Sequence, residues 1–198
     1  MEVNMFYNIA KYALRLMYLV MFRVEVRGKE NIPKDGPVII CANHSSNFDP
    51  ISAAIYVKRP VNFMAKKELF GNNFMKKLMY SLHAFPVDRE AADMKSFKTT
   101  LEILKKGEVL GIFAQGKRVK EGETADPKAG VALFALKGNA VVIPAGISGN
   151  YKLFSKVKIN YGKPVNLDEY RGKRARTETL EKITEEIMSE VEKLRKEP

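Results

Sequence analysis

Two short stretches of the chain carry no polar side chain. Residues 37–42 read PVIICA and residues 109–114 read VLGIFA. Runs this short and this apolar fit strands covered on both faces, as in a parallel sheet, rather than helices. Residues 22–26 (FRVEV), 61–65, 84–87, 140–147 and 157–161 read as further strands. Segments of helical period lie between them. Residues 50–57 and 127–137 look helical, the latter stopped by Gly138. Residues 91–106 place Met94, Phe97, Leu101 and Leu104 on one face, and Gly107 suits the position after the helix end. Residues 67–82 form a basic helix broken near Gly71. Residues 177–194 carry a stripe of Leu180, Ile183, Ile187, Val191 and Leu194. This alternation predicts an α/β fold: a mainly parallel, mixed central sheet flanked by helices.

The N-terminus reads differently. Residues 5–22, MFYNIAKYALRLMYLVMF, are long and apolar but interrupted by Lys11 and Arg15. The unbroken part, residues 16–22, falls well short of the ~20 apolar residues of a membrane span. No small-residue cleavage site follows, which argues against a secretory signal. Asn4, Asn8, Lys11 and Arg15 share one narrow stripe at helical spacing. The pattern predicts an amphipathic helix in the membrane interface, its basic stripe toward phosphates and its broad apolar face in acyl chains. A first helix packed on the protein's own core is the alternative, and a span with snorkelling charges is a second. The expected organisation is a membrane-associated helix at residues 1–22 and one α/β domain at 23–198. Net charge is +11, which suits an anionic partner, a membrane surface or nucleic acid. The single cysteine, Cys41, rules out an internal disulfide and suits a reducing compartment.

The densest chemistry directly follows the first apolar run. Residues 43–50 read NHSSNFDP. Reacting groups in parallel sheets gather at the carboxyl ends of strands. There, Asp49 can accept from one ring nitrogen of His44 and free the other to take a proton from a hydroxyl. Asp49 before Pro50 also suits a helix N-cap with proline at the first position. Cys41 is a rival nucleophile, but its apolar neighbours suit a small packed residue. Ser45 and Ser46 lack a G-x-S-x-G setting. Two histidines, His44 and His83, without clustered ligand spacing give little basis for a metal site.

Three further segments matter by their order. Residues 85–89 read FPVDR, 113–118 read FAQGKR, and 142–147 read VIPAGI. With the N-H-x-x-x-x-D segment they resemble the glycerolipid acyltransferase family, most closely its bacterial 1-acylglycerol-3-phosphate branch. That family carries an N-H-x-x-x-x-D block, an F-P-V-D-R-like block, an F-P-E-G-T-R block and a V-x-P block in this order. Residues 63–69 (FMAKKEL) also look like the family's stretch between the first two blocks. The third block departs: Ala114, Gln115 and Lys117 replace proline, glutamate and threonine, while Gly116 and Arg118 are kept. His83 stands where a small residue is expected.

The resemblance implies transfer of a fatty acyl group from a coenzyme A or acyl carrier protein thioester to the free hydroxyl of a lysophospholipid, without a bound cofactor or metal. His44 would be the general base and Asp49 its orienter. Arg89, Arg118 and Lys66 would hold the acceptor phosphate, with Gln115 and Gly116 beside them. Backbone N–H groups after His44 would be oxyanion donors. The implied location is the cytoplasmic face of the cell membrane, peripheral or monotopic, with no nucleic-acid partner. Acylation of a different lyso-lipid is an alternative favoured by the altered third block. A non-catalytic basic domain binding membrane or nucleic acid is another, although no nucleic-acid motif supports it.

Overall fold

The computed structural model describes residues 2–88, 93–119, 127–173 and 175–197. A seven-stranded sheet runs in the order β1-β7-β6-β2-β5-β3-β4. Its strands are β1 (Arg23–Arg27), β2 (Val38–Ala42), β3 (Val61–Lys66), β4 (Ala84–Val87), β5 (Val109–Ile112), β6 (Val141–Ser148) and β7 (Lys156–Tyr161). All neighbouring pairs are parallel except β6 with β7. The exception follows from the connection between them. Residues 149–155 are too few for the crossover of a dozen or more residues that a parallel return needs.

Strand β2, the PVIICA run, lies at the centre and is buried along its length. Side chains alternate across a strand, so its two faces enter different cores. Ile39 and Cys41 join one core with Leu104 of α4 (Met94–Lys105), Val131 of α5 (Gly130–Lys137) and Ile183 and Ile187 of α6 (Thr177–Lys196). Val38, Ile40 and Ala42 join the other with Tyr18 of α1 (Glu2–Met21), Phe22 just beyond its end, and Ala53 of α2 (Asp49–Ile55). The 67–82 segment divides as expected, into a 3₁₀ turn (Lys67–Phe70) and α3 (Asn73–Ser81).

Two helices begin later than their apolar spacing suggests. Asp93 caps α4, accepting from the N–H groups of Lys95 and Ser96, so that helix starts at Met94. Met94 itself is exposed; Ser96, Thr100, Ile103 and Leu104 form the buried face. Helix α5 starts at Gly130 rather than near Pro127.

Helix α1 forms as expected, but one member of its polar stripe, Lys11, turns inward, while Asn8 and Arg15 stay exposed. Lys11 Nζ donates to the carbonyls of Val57 and Lys58, just past the end of α2. The Arg15 guanidinium lies 5.1 Å from the Tyr56 ring centre. Carbonyls at a helix end lack intrahelical donors and attract cations, so this docking is locally favourable. Tyr7, Tyr18 and Phe22 are buried, whereas Met5, Ile9, Tyr12, Leu16, Leu19 and Val20 remain exposed. Among the described residues, no helix is long and apolar enough to cross a membrane.

Candidate active site

The loop after β2 is held from two sides. Asn43 is buried and pairs twice with Ile147 of β6: its Nδ2 donates to the carbonyl at 2.9 Å, and its Oδ1 accepts from the N–H at 2.8 Å. On the other side the segment after β5 lies along His44. The His44 N–H donates to Gln115 Oε1 at 3.1 Å, and the Val119 N–H donates to the His44 carbonyl at 2.8 Å. Gln115 is therefore engaged by the backbone of His44. That contact needs only a side-chain oxygen, which glutamine and glutamate both supply.

His44 Nδ1 donates to Asp49 Oδ2 at 3.1 Å. Asp49 is fully buried and His44 is 12% exposed. The same Oδ2 accepts from the N–H groups of Ser45 and Ser46, each at 2.6 Å, and Oδ1 accepts from the Tyr151 hydroxyl at 2.9 Å. Asp49 opens α2 with Pro50 behind it, yet its carboxylate turns back into the loop instead of capping its own helix. The N–H groups of Ser45 and Ser46 are committed to Asp49 and so are not oxyanion donors in this arrangement. A buried carboxylate is costly unless well supplied with donors, and four donors meet that need here. With Nδ1 donating to Asp49, Nε2 is the ring nitrogen left to accept a proton.

The imidazole also rests on an aromatic stack. Phe113 lies against it, ring centres 4.2 Å apart and planes 19° from parallel, and Phe63 stacks on Phe113 at 5.8 Å. Gly111 makes room: a Cβ there would come within 2.1 Å of the Phe63 ring. Two cavities meet His44. The larger, about 530 Å³, is lined mainly by apolar side chains of α1, α2, β3 and α3, among them Leu14, Ile51, Phe63 and Met79. Lys66 and Arg118 line it as well. The smaller, about 240 Å³, is lined by Asp88, Gly116 and Lys128. Gly116 takes φ 67°, a left-handed conformation that suits glycine, and the aliphatic part of Lys128 lies over it.

The fold thus gathers His44, Asp49, Gln115, Gly116, Arg118 and Lys66 at the carboxyl ends of β2, β3 and β5. Arg89 lies outside the described residues; the neighbouring Asp88 pairs with Lys67 at 2.6 Å. Burial pushes the Cys41 thiol up to about 12, which fits a packed side chain rather than a nucleophile. His83 sits at the end of α3 with φ 58°, its ring edge-on to Tyr7 and its Nδ1 at 3.2 Å from Asn62 Oδ1. Sequence reasoning missed Tyr151 and Phe113 as neighbours of the His44–Asp49 pair. Phe113 stood within a recognised block as an apolar residue; nothing near Tyr151 in sequence marks it.

Known proteins resemble this chain over most of its length. The acyltransferase family model matches residues 23–148. The 1-acyl-sn-glycerol-3-phosphate acyltransferase of Bacillus subtilis (strain 168) is 33% identical over 194 residues, covering 95% of this chain and 96% of that protein. Its counterpart from Streptococcus pneumoniae is 28% identical over 203 residues, covering 98% of this chain and 75% of that one. The crystal structure of the 1-acyl-sn-glycerophosphate acyltransferase PlsC from Thermotoga maritima superposes with a TM-score of 0.70 at 26% identity, covering 100% of this chain and 80% of that one.

Proposed function

The chain belongs to the acyltransferase family, and from that premise we propose that it moves a fatty acyl group from a thioester to the free hydroxyl of 1-acylglycerol-3-phosphate, giving phosphatidic acid. One observation carries this reading: the His44–Asp49 pair opens onto a large, mainly apolar cavity with Lys66 and Arg118 in its lining. The cavity suits an acyl chain, and the two cations suit a phosphate.

His44 Nε2 takes the proton from the acceptor hydroxyl as that oxygen attacks the thioester carbonyl. Asp49 fixes the ring and its tautomer. The C–S bond of the tetrahedral adduct then breaks, and the thiolate receives the proton from His44. General-base help of this kind is typically worth about 100- to 10,000-fold. Arg118 and Lys66, with Arg89, hold the phosphate and so place the hydroxyl. The donor is carried by coenzyme A or by acyl carrier protein.

A different lyso-lipid acceptor was the reading favoured by Gln115 and Lys117. Gln115 Oε1 is already engaged by the His44 backbone. Its replacement of glutamate is therefore accounted for without a change of acceptor.

The acceptor and product are lipids, so the enzyme works at a bilayer. We assign that contact to the exposed apolar row of α1, with residues 23–198 as the catalytic domain. Because the thioester carriers are cytosolic, the site faces the cytoplasm. The test is purified protein with a panel of lyso-lipids and both thioester donors, read by mass spectrometry. Phosphatidic acid formed from 1-acylglycerol-3-phosphate, faster than product from any other acceptor and dependent on His44, is expected. Turnover unchanged in folded His44→Ala overturns the mechanism, and preference for another lyso-lipid overturns the acceptor.

A further inference from the structure

Tyr151 lies in none of the four blocks, yet it touches the side of Asp49 that faces away from His44. It stands in the β6–β7 connection, and its hydroxyl donates to Asp49 Oδ1 at 2.9 Å. Its backbone takes φ 52°, a left-handed conformation uncommon for a bulky side chain and maintained only where the surroundings impose it. The surroundings are visible. The ring stacks on Phe48, centres 5.1 Å apart and planes 25° from parallel, and meets Phe22 edge-on at 5.8 Å. The same loop is pinned to α1 where the Phe154 N–H donates to the Met21 carbonyl at 2.6 Å.

The hydroxyl protons around Tyr151 can be counted. Tyr18 OH donates to the Phe48 carbonyl at 3.1 Å. Ser52 Oγ lies 3.3 Å from Tyr18 OH and 2.9 Å from Tyr151 OH. Each hydroxyl has one proton to give. Tyr18 gives its proton to Phe48, and Ser52 gives its proton to one of the two tyrosines. The Tyr151 proton is left for Asp49, which as a carboxylate can only accept. Burial, with the Asp49 charge adding to it, raises the Tyr151 hydroxyl far above its ordinary 10, so this donor stays protonated at any working pH.

We propose that Tyr151 is a positioning residue for the His44–Asp49 pair, fixing the Asp49 carboxylate from behind so that Oδ2 stays aimed at His44 Nδ1. The inference rests on the general-base reading above. Oδ2 already accepts three N–H groups from the loop that carries His44. Those three can move together with that loop. Tyr151 is the contact that ties the carboxylate to a different part of the fold, the β6–β7 connection and, through Ser52 and Tyr18, helix α1.

Tyr151→Phe tests this, because it keeps the ring contacts and removes only the donor. The expected result is kcat reduced about tenfold or more, the size of one lost hydrogen bond to a charged group, with both substrate KM values within about twofold. In an Asp49→Asn background the same change should alter kcat less than about twofold, because a residue acting through Asp49 has nothing left to position. Unchanged kcat in Tyr151→Phe, or an equal loss in both backgrounds, overturns the assignment. His44→Ala run alongside separates the two failures. If it retains turnover, the general-base reading falls. If it is inactive while Tyr151→Phe is normal, only the role of Tyr151 falls.

Discussion

The Phe113 ring lies face to face with the His44 imidazole, centres 4.2 Å apart. The hydrogen bond to Asp49 fixes the ring's reach, but a flat neighbour fixes its plane. Phe63 supports Phe113 from behind, and Gly111 leaves the space that Phe63 occupies. Phe113→Ala should therefore lower kcat more than it raises either KM. Gly111→Ala should act on the same stack from a distance. A methyl group 2.1 Å from the Phe63 ring forces it to shift, at about 1–3 kcal/mol for overpacking. Thermal unfolding and turnover of Gly111→Ala should fall together; a protein with wild-type Tm and kcat would show that the stack does not hold His44.

Asp49→Asn should cost activity and stability alike. The carboxylate accepts from Ser45, Ser46, His44 and Tyr151. An amide keeps one oxygen and points N–H donors at groups that also donate, leaving buried donors unpaired at about 1–3 kcal/mol each. Urea unfolding should show a loss within that range, and turnover should fall by at least tenfold. A loss of stability with unimpaired kcat would make Asp49 a loop brace and nothing more.

His83 sets an acid limit on stability. Burial lowers its pKa below the usual 6.5, while Glu108, reached through Asn62, opposes that shift less strongly. Tyr7 of α1 faces the ring edge-on. The unfolded chain then binds the proton more readily than the folded one as pH falls through 6.5. Stability contributed by neutral His83 is present above that pH and is lost below it. His83→Asn suits the left-handed backbone at this position and removes the titrating group. Chemical denaturation between about pH 5 and pH 7.5 should give a flatter stability profile for His83→Asn than for wild type. Parallel profiles would place the acid sensitivity elsewhere.

How much of this was legible in the sequence follows from how local each signal is. The PVIICA run marked the central strand because burial on both faces leaves no polar position. The His44–Asp49 pairing was legible because five residues of loop bring the two together. The inward turn of Lys11 was not: the stripe at 4, 8, 11 and 15 has the same spacing whether Lys11 meets headgroups or the carbonyls of Val57 and Lys58. Nor was Tyr151, which reaches Asp49 across 102 residues of chain, a proximity only the sheet order creates. The antiparallel β7 was recoverable in principle from its short connection, but apolar patterning says nothing of strand direction.

Arg118 should bear on the acceptor more than on the donor. It lines the same cavity as His44 and Lys66. Arg118→Ala should raise the acceptor KM at least tenfold, for a lost charge-assisted hydrogen bond of about 1.5–3 kcal/mol. Arg118→Lys should recover only part, since an ammonium lacks the planar two-point contact. Arg89→Ala is expected to behave alike. Steady-state kinetics with each substrate varied in turn checks this, and an unchanged acceptor KM in both alanine variants would remove the phosphate clamp.

The membrane role of α1 cannot be tested by deleting residues 1–22. Tyr7, Tyr18 and Phe22 belong to the buried set, and each large side chain buried contributes about 1.5–3 kcal/mol. Losing all three removes a large share of the roughly 5–15 kcal/mol that holds a domain together, so a truncation would unfold the protein whatever it does at a bilayer. The exposed row offers a cleaner test. Leu16 and Val20 are 65% and 66% exposed, one helical turn apart on the side away from the core. Replacing both with Glu should leave Tm nearly unchanged, because exposed positions rarely matter by more than about 0.5 kcal/mol. It should cut sedimentation with anionic vesicles, by removing apolar contact and adding like charge. Turnover of lysophosphatidate presented in vesicles should fall with it, while turnover of a short-chain, water-soluble acceptor should hold. Undiminished vesicle binding in a folded Leu16→Glu, Val20→Glu protein would move the membrane contact off this helix.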